Sequence, residues 1–78
     1  MAKAKIERER AARGEGCLGK AADEEPVFIL RGQDRLSAPL VDMWADHAEL
    51  HGCAPEKVEG ARKLARAMRA WQPQKWPD

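Results

Sequence analysis

Four side chains in this sequence are of the kind that bind metals. His47 and His51 stand four residues apart, Cys53 lies just beyond them, and Cys17 sits in the N-terminal part. One turn of helix can seat two imidazoles on one ion, and imidazole and thiolate are the ligands zinc prefers. The pattern is nevertheless incomplete. The cysteines lack a paired spacing, and Ala48 stands where the zinc-protease motif places glutamate directly after its first histidine. His47 also falls on an apolar stripe, where a packing histidine is commoner than a ligand. No metal site and no cofactor are expected.

A second pattern is Gly14-Glu-Gly-Cys-Leu-Gly19-Lys20, which has the spacing of a phosphate-binding loop; Gly14, Gly16 and Gly19 also fit the dinucleotide fingerprint. That chemistry needs a buried strand entering the loop and a helix N-terminus receiving the phosphates. Magnesium would further need a hydroxyl after the lysine. Ala21 follows Lys20, and no strand-like run precedes Gly14. Nucleotide binding is not expected.

Charge supplies two further sets. Residues 1–20 carry +3, residues 21–51 carry −5, and residues 52–78 carry +3, for a net +1. In the acidic middle, Asp34, Asp42, Asp46 and Glu49 form one candidate surface. Nothing places two of them in distinct environments, as acid/base catalysis requires, so a docking role for a basic partner is the expectation. In the basic end, Arg62, Lys63, Arg66 and Arg69 could neutralise phosphates, with Trp71 and Trp76 to stack on bases. The pI of about 7.8 argues against a dedicated nucleic-acid binder. The acidic flank is also available to pair with these cations.

The elements that position these residues can be read from periodicity. Lys3 to Arg13 holds good helix formers but one large apolar residue, Ile6, so residues 1–22 read as a solvated arm made flexible by its glycines. The domain proper is expected over 23–72, with 73–78 as a tail that brings Trp76 back onto it. One helix should open near Ser37, its candidate cap, and close at Gly52. Leu36, Leu40, Met43, His47 and Leu50 recur at four-three-four-three spacing along it, widened by Trp44 and Ala48, which predicts its core-facing stripe. Another helix starts at Pro55 and runs to about Trp71, with Val58, Ala61, Leu64 or Ala65, Met68 and Trp71 on its apolar side. The short link between the two predicts antiparallel neighbours.

Between arm and helices lies Glu25-Pro-Val-Phe-Ile-Leu-Arg31, with the only run of four large apolar residues. Burial is expected for it. A helix over 24–33, capped by Asp23, is consistent within one chain because no other segment reads as a strand to pair with. The fold expected is therefore all-α, a small three-helix bundle with a flexible N-terminal arm. The alternative is α+β, with strand 27–31 paired across a homodimer and two helices packed on it.

Cys17-Leu-Gly-Lys-Ala21, followed by Glu25-Pro-Val-Phe-Ile-Leu-Arg31 and Gln33-Asp34, resembles a group of short bacteriophage and prophage proteins, over most of residues 16–71. The resemblance implies a phage-borne accessory protein in the bacterial cytoplasm and carries no catalytic residue. A chain of 78 residues, 35% of them charged, has few core residues to spare for a substrate cavity. No run is long and apolar enough to span a membrane, and the first residues lack the apolar core of a secretion signal. The expected function is thus non-enzymatic: binding and inhibiting a host protein or nucleoprotein complex, as anti-CRISPR proteins do. The alternatives are a small nucleic-acid-binding regulator using the basic helix and a phage structural or assembly subunit. Either a monomer or a homodimer is compatible with the sequence.

Overall fold

The computed structural model describes residues 3–77. The protein is all-α: three helices of nine residues or more, α1 (Ala4–Ala12), α3 (Ser37–Leu50) and α4 (Pro55–Ala70), with a five-residue helix, α2 (Gly16–Lys20), between the first two. Among the described residues there is no strand, only a lone parallel bridge between Asp34 and Lys75.

α3 and α4 form the antiparallel hairpin predicted from their short link. The link works because α3 ends in a Schellman turn. Gly52 takes a left-handed φ of 77°, Gly52 N–H donates to Glu49 O, and Cys53 N–H donates to Ala48 O. Pro55 then occupies the first turn of α4, where its missing N–H costs nothing, and Glu56 favours the positive end of the dipole.

The core lies between these helices and is built from small residues. Ala38, Ala45, Ala48, Val58 and Ala65 are its buried apolar members, with Ala61 packed beside them. This corrects the stripe predicted for α3. Leu36, Leu40, Met43, Trp44 and Leu50 are all exposed, while Ser37, Ala38, Ala45 and Ala48 face inward. Small residues of α3 meet small residues of α4 here, and the larger side chains of α3 are left on the opposite face. In α4, Val58 and Ala65 are buried, Leu64 and Met68 half-buried, and Trp71 exposed.

Ser37 is not the cap. It is the first residue of α3 and fully buried, and its Oγ donates 2.7 Å to Arg31 O. Asp34 occupies the helix start instead, its Oδ1 accepting from Leu36 N–H at 2.8 Å and its carbonyl from Ser37 N–H at 3.0 Å.

The helix predicted over 24–33 does not form. Residues 22–25 make one turn, in which Glu25 N–H donates to Ala22 O and Ala22 N–H to the Glu25 carboxylate. Pro26 then biases Glu25 toward extended backbone, and the following Val-Phe-Ile run has weak helix propensity. From Pro26 to Arg31 the chain has no regular secondary structure. Nor is the run buried: Phe28 is 84% exposed and Ile29 70%.

The N-terminal arm is also more built than its glycines predict. Gly14 and Gly16 have positive φ and turn the chain between α1 and α2. A Cβ on Gly19 would stand 2.8 Å from the backbone of Gly14 and 3.2 Å from that of Ala11. The glycine therefore permits helix contact here rather than flexibility. Ile6, Glu7 and Arg10 of α1 face Lys57, Gly60, Ala61 and Leu64 of α4 across an open groove of about 540 Å³.

The tail returns to the domain. Lys75 N–H donates to Gln33 O and Arg35 N–H to Lys75 O, and the Arg35 guanidinium lies 5.6 Å from the centre of the Trp76 ring. The Gln74 side-chain amide reaches Gly32 O and Met68 O at 2.8 Å and Trp71 O at 2.9 Å. One side chain thus caps the end of α4 and fastens it to the loop before α3.

Candidate functional site

Helical winding places Asp42, Asp46 and Glu49 on one edge of α3, beside α4. The basic residues of α4 meet them there. Arg62 donates to Asp46 at 2.9 Å and lies 3.7 Å from Glu49; Arg69 donates to Asp42 at 2.7 Å. The hydrogen bond to Asp46 raises the Arg62 pKa above its ordinary value; desolvation opposes the rise, and the charges of Asp46 and Glu49 add to it. Arg66 pairs with Glu59 of its own helix at 3.0 Å. Lys63 is exposed and has no ion pair among the described residues. Asp42, Asp46 and Glu49 on one side and Arg62 and Arg69 on the other, read from sequence as parts of rival binding surfaces, are therefore two sides of one seam. These pairs are solvated, so they can exchange for a partner's charges, but the seam presents little net field.

Asp34 lies apart from that edge, its carboxylate engaged at the start of α3. With Ile29, Arg31, Gln33, Lys75, Trp76 and Pro77 it lines a shallow notch of about 190 Å³. The metal-ligand types remain dispersed: His51 Nδ1 is 2.9 Å from His47 O, and both cysteines are exposed free thiols. No group of three potential ligands occurs among the described residues. The phosphate-loop spacing coincides with α2, where the anionic Glu15 precedes the helix and pairs with Arg13 at 3.2 Å.

Two apolar surfaces stand out instead. The first is the irregular segment from Val27 to Arg31. Val27, Phe28 and Ile29 are more than half exposed, and the N–H groups from Val27 to Arg31 have no hydrogen-bond partner among the described residues. It is an irregular segment that combines unpaired N–H groups with exposed large apolar side chains. The second is the outward face of α3, where Leu36, Leu40, Met43, Trp44, His47 and Leu50 are exposed. Sequence reasoning identified the residues of both surfaces and expected them inside. It missed Gln74, for which a lone glutamine between two prolines gives no signal.

No protein-family model matches this chain, and neither does any curated protein or solved structure. Among the described residues no helix is long and apolar enough to cross a membrane.

Proposed function

We propose that this chain is a non-enzymatic binding protein that docks on a bacterial protein by adding the strand-like segment Val27–Arg31 to an exposed sheet edge of its target. The observation that supports this reading is the pairing of two properties in one segment: unpaired backbone N–H groups and exposed Val27, Phe28 and Ile29. In strand addition the main chain supplies affinity and alternate side chains supply specificity. The resemblance to short phage and prophage proteins fits an accessory role, occupying a host surface to inhibit it as anti-CRISPR proteins do. The acidic edge Asp42, Asp46 and Glu49 becomes a secondary contact that exchanges its ion pairs on binding.

The test is a pull-down of the tagged chain from bacterial lysate, with and without nuclease, beside the variants Phe28→Glu and Ile29→Pro. A stoichiometric protein that survives nuclease and is lost with both variants is the expected result. Capture of nucleic acid, with loss of associated proteins after nuclease and on Arg62→Glu/Arg66→Glu/Arg69→Glu, would overturn it in favour of the basic helix. A partner unaffected by Phe28→Glu and lost with Asp42→Lys/Asp46→Lys/Glu49→Lys would move the contact to the acidic edge.

A further inference from the structure

We propose that the outward face of α3 is the seam of a two-fold homodimer in which Leu36, Leu40, Met43, His47 and Leu50 pack against the same residues of a second copy. Helical winding sets Pro39, Leu50, Met43, Leu36, His47, Leu40, His51 and Trp44 in one continuous arc. That arc contains no Asp, Glu, Lys or Arg. All three acids of α3 fall on the edge beside α4, and the buried alanines lie on the face opposite the arc. α3 is therefore free of formal charge on two opposite faces, of which only one is covered within the chain.

The chain also has surface to spare, shared among the separate α1–α2 unit, the Val27–Arg31 segment and this face. It exposes 6410 Å², about 1,700 Å² more than the roughly 4,700 Å² expected of a folded monomer of its mass. An interface of standard size takes about 800 Å² from each partner. The excess accommodates one such interface and leaves the Val27–Arg31 segment free.

The chemistry of the face selects a second copy as occupant. A surface without cations offers nothing to nucleic acid, and one without formal charge offers nothing to a charged peptide. The four-three-four-three spacing averages 3.5 residues, the period at which two helices interlock along a seam. Met43 is at the middle of the stripe, with Leu36 and Leu50 seven residues to either side. A two-fold axis therefore brings Met43 against its own counterpart whether the helices run parallel or antiparallel. A net charge of +1 per chain gives little mutual repulsion.

Sedimentation equilibrium of the full chain tests the seam, with an expected mass of twice 8.7 kDa. Leu40→Glu/Met43→Glu should keep its helical circular dichroism and raise the dissociation constant by at least about a hundredfold. Phe28→Glu should remain dimeric. A second variant needs no charge on the helix: Met43→Cys, in a chain with Cys17→Ser and Cys53→Ser, should cross-link to a covalent dimer under mild oxidation, and it decides the matter if the double glutamate variant fails to fold. The proposal is overturned by a wild-type monomer at every concentration up to about 1 mM. It is equally overturned by a dimer that Phe28→Glu dissociates and the α3 variant does not, or by a dimeric Met43→Cys chain that forms no cross-link.

Discussion

The two faces of α3 carry apolar residues of different size, and the smaller set is the one inside. Ala45 is completely buried, whereas Leu50, five residues on and on the other side, is 78% exposed. A large side chain gains more from leaving water, about 1.5–3 kcal/mol for a leucine, so side-chain size alone would turn the helix the other way. What decides is the neighbour. α4 offers Val58, Ala61 and Ala65 on its inner side, and a surface of small residues meets another at short axial distance with every gap filled. The large residues of α3 are left for a surface outside the chain.

The strongest way to break this comparison is to enlarge the inner face. Ala45 and Ala65 both have no exposed surface, so Ala45→Leu must separate the two helices or strain its own rotamer. A destabilisation of about 1–3 kcal/mol is expected from the shift in urea midpoint. Met43→Leu on the outer face should change stability by less than about 0.5 kcal/mol, measured at a protein concentration where the chain sediments as a monomer. Equal effects from the two would show that α3 is turned differently.

Next in size is the clip that holds α3 in this rotation. Gln74 bonds the last turn of α4 and Gly32 with one amide group, and the segment from Gly32 leads directly into Ser37. Gln74→Ala leaves the Met68 and Gly32 carbonyls without that donor and should cost about 1–2 kcal/mol. It should also raise amide exchange at Arg35 and Lys75, whose N–H groups pair the tail to residues 33–35. Loss of stability without faster exchange there would mean that the tail is held by the Arg35–Trp76 contact instead.

Much of the helical part was legible in the sequence. Ser37, Gly52 and Pro55 marked ends of α3 and α4 to within a residue or two, because turn chemistry is local. The four-three-four-three spacing correctly marked an apolar face of α3 but could not say what covers it, since that depends on the size of residues on another helix. The Val27–Leu30 run was misplaced for a related reason. Hydrophobicity states that a segment gains from burial, but not which surface takes it. Gly14, Gly16 and Gly19 read as flexible because a close backbone approach, such as that of Gly19 to Gly14 and Ala11, is a tertiary fact. The acidic and basic sets are legible residue by residue, as is the availability of the acidic flank to pair with the cations. That Arg62 takes Asp46 and Glu49 while Arg69 takes Asp42 required the hairpin register.

The outward side of α4 sharpens the comparison further. Gly60 sits in mid-helix, and a Cβ built on it meets nothing within 4 Å. Gly60→Ala should stabilise the protein by about 0.5–1 kcal/mol through lower unfolded-state entropy and better helix propensity, read as a rise in melting temperature. The residue also lines the groove facing Ile6. If α1 closes that groove in solution, the added methyl meets α1 and the sign reverses.

The smallest effect belongs to the charged edge between the two faces of α3. Asp42 accepts from Arg69 at 2.7 Å, but the two side chains remain 39% and 54% exposed. Water screens such a pair, and ordering two side chains opposes the attraction. Asp42→Asn should therefore cost less than about 0.5 kcal/mol in low salt, and the difference should vanish near 1 M salt. The register of α3 on α4 then rests on the alanine packing, with the ion pairs following it. A loss well above 1 kcal/mol that persists in high salt would reverse that order and make the charged seam, instead of residue size, the reason the large face of α3 points outward.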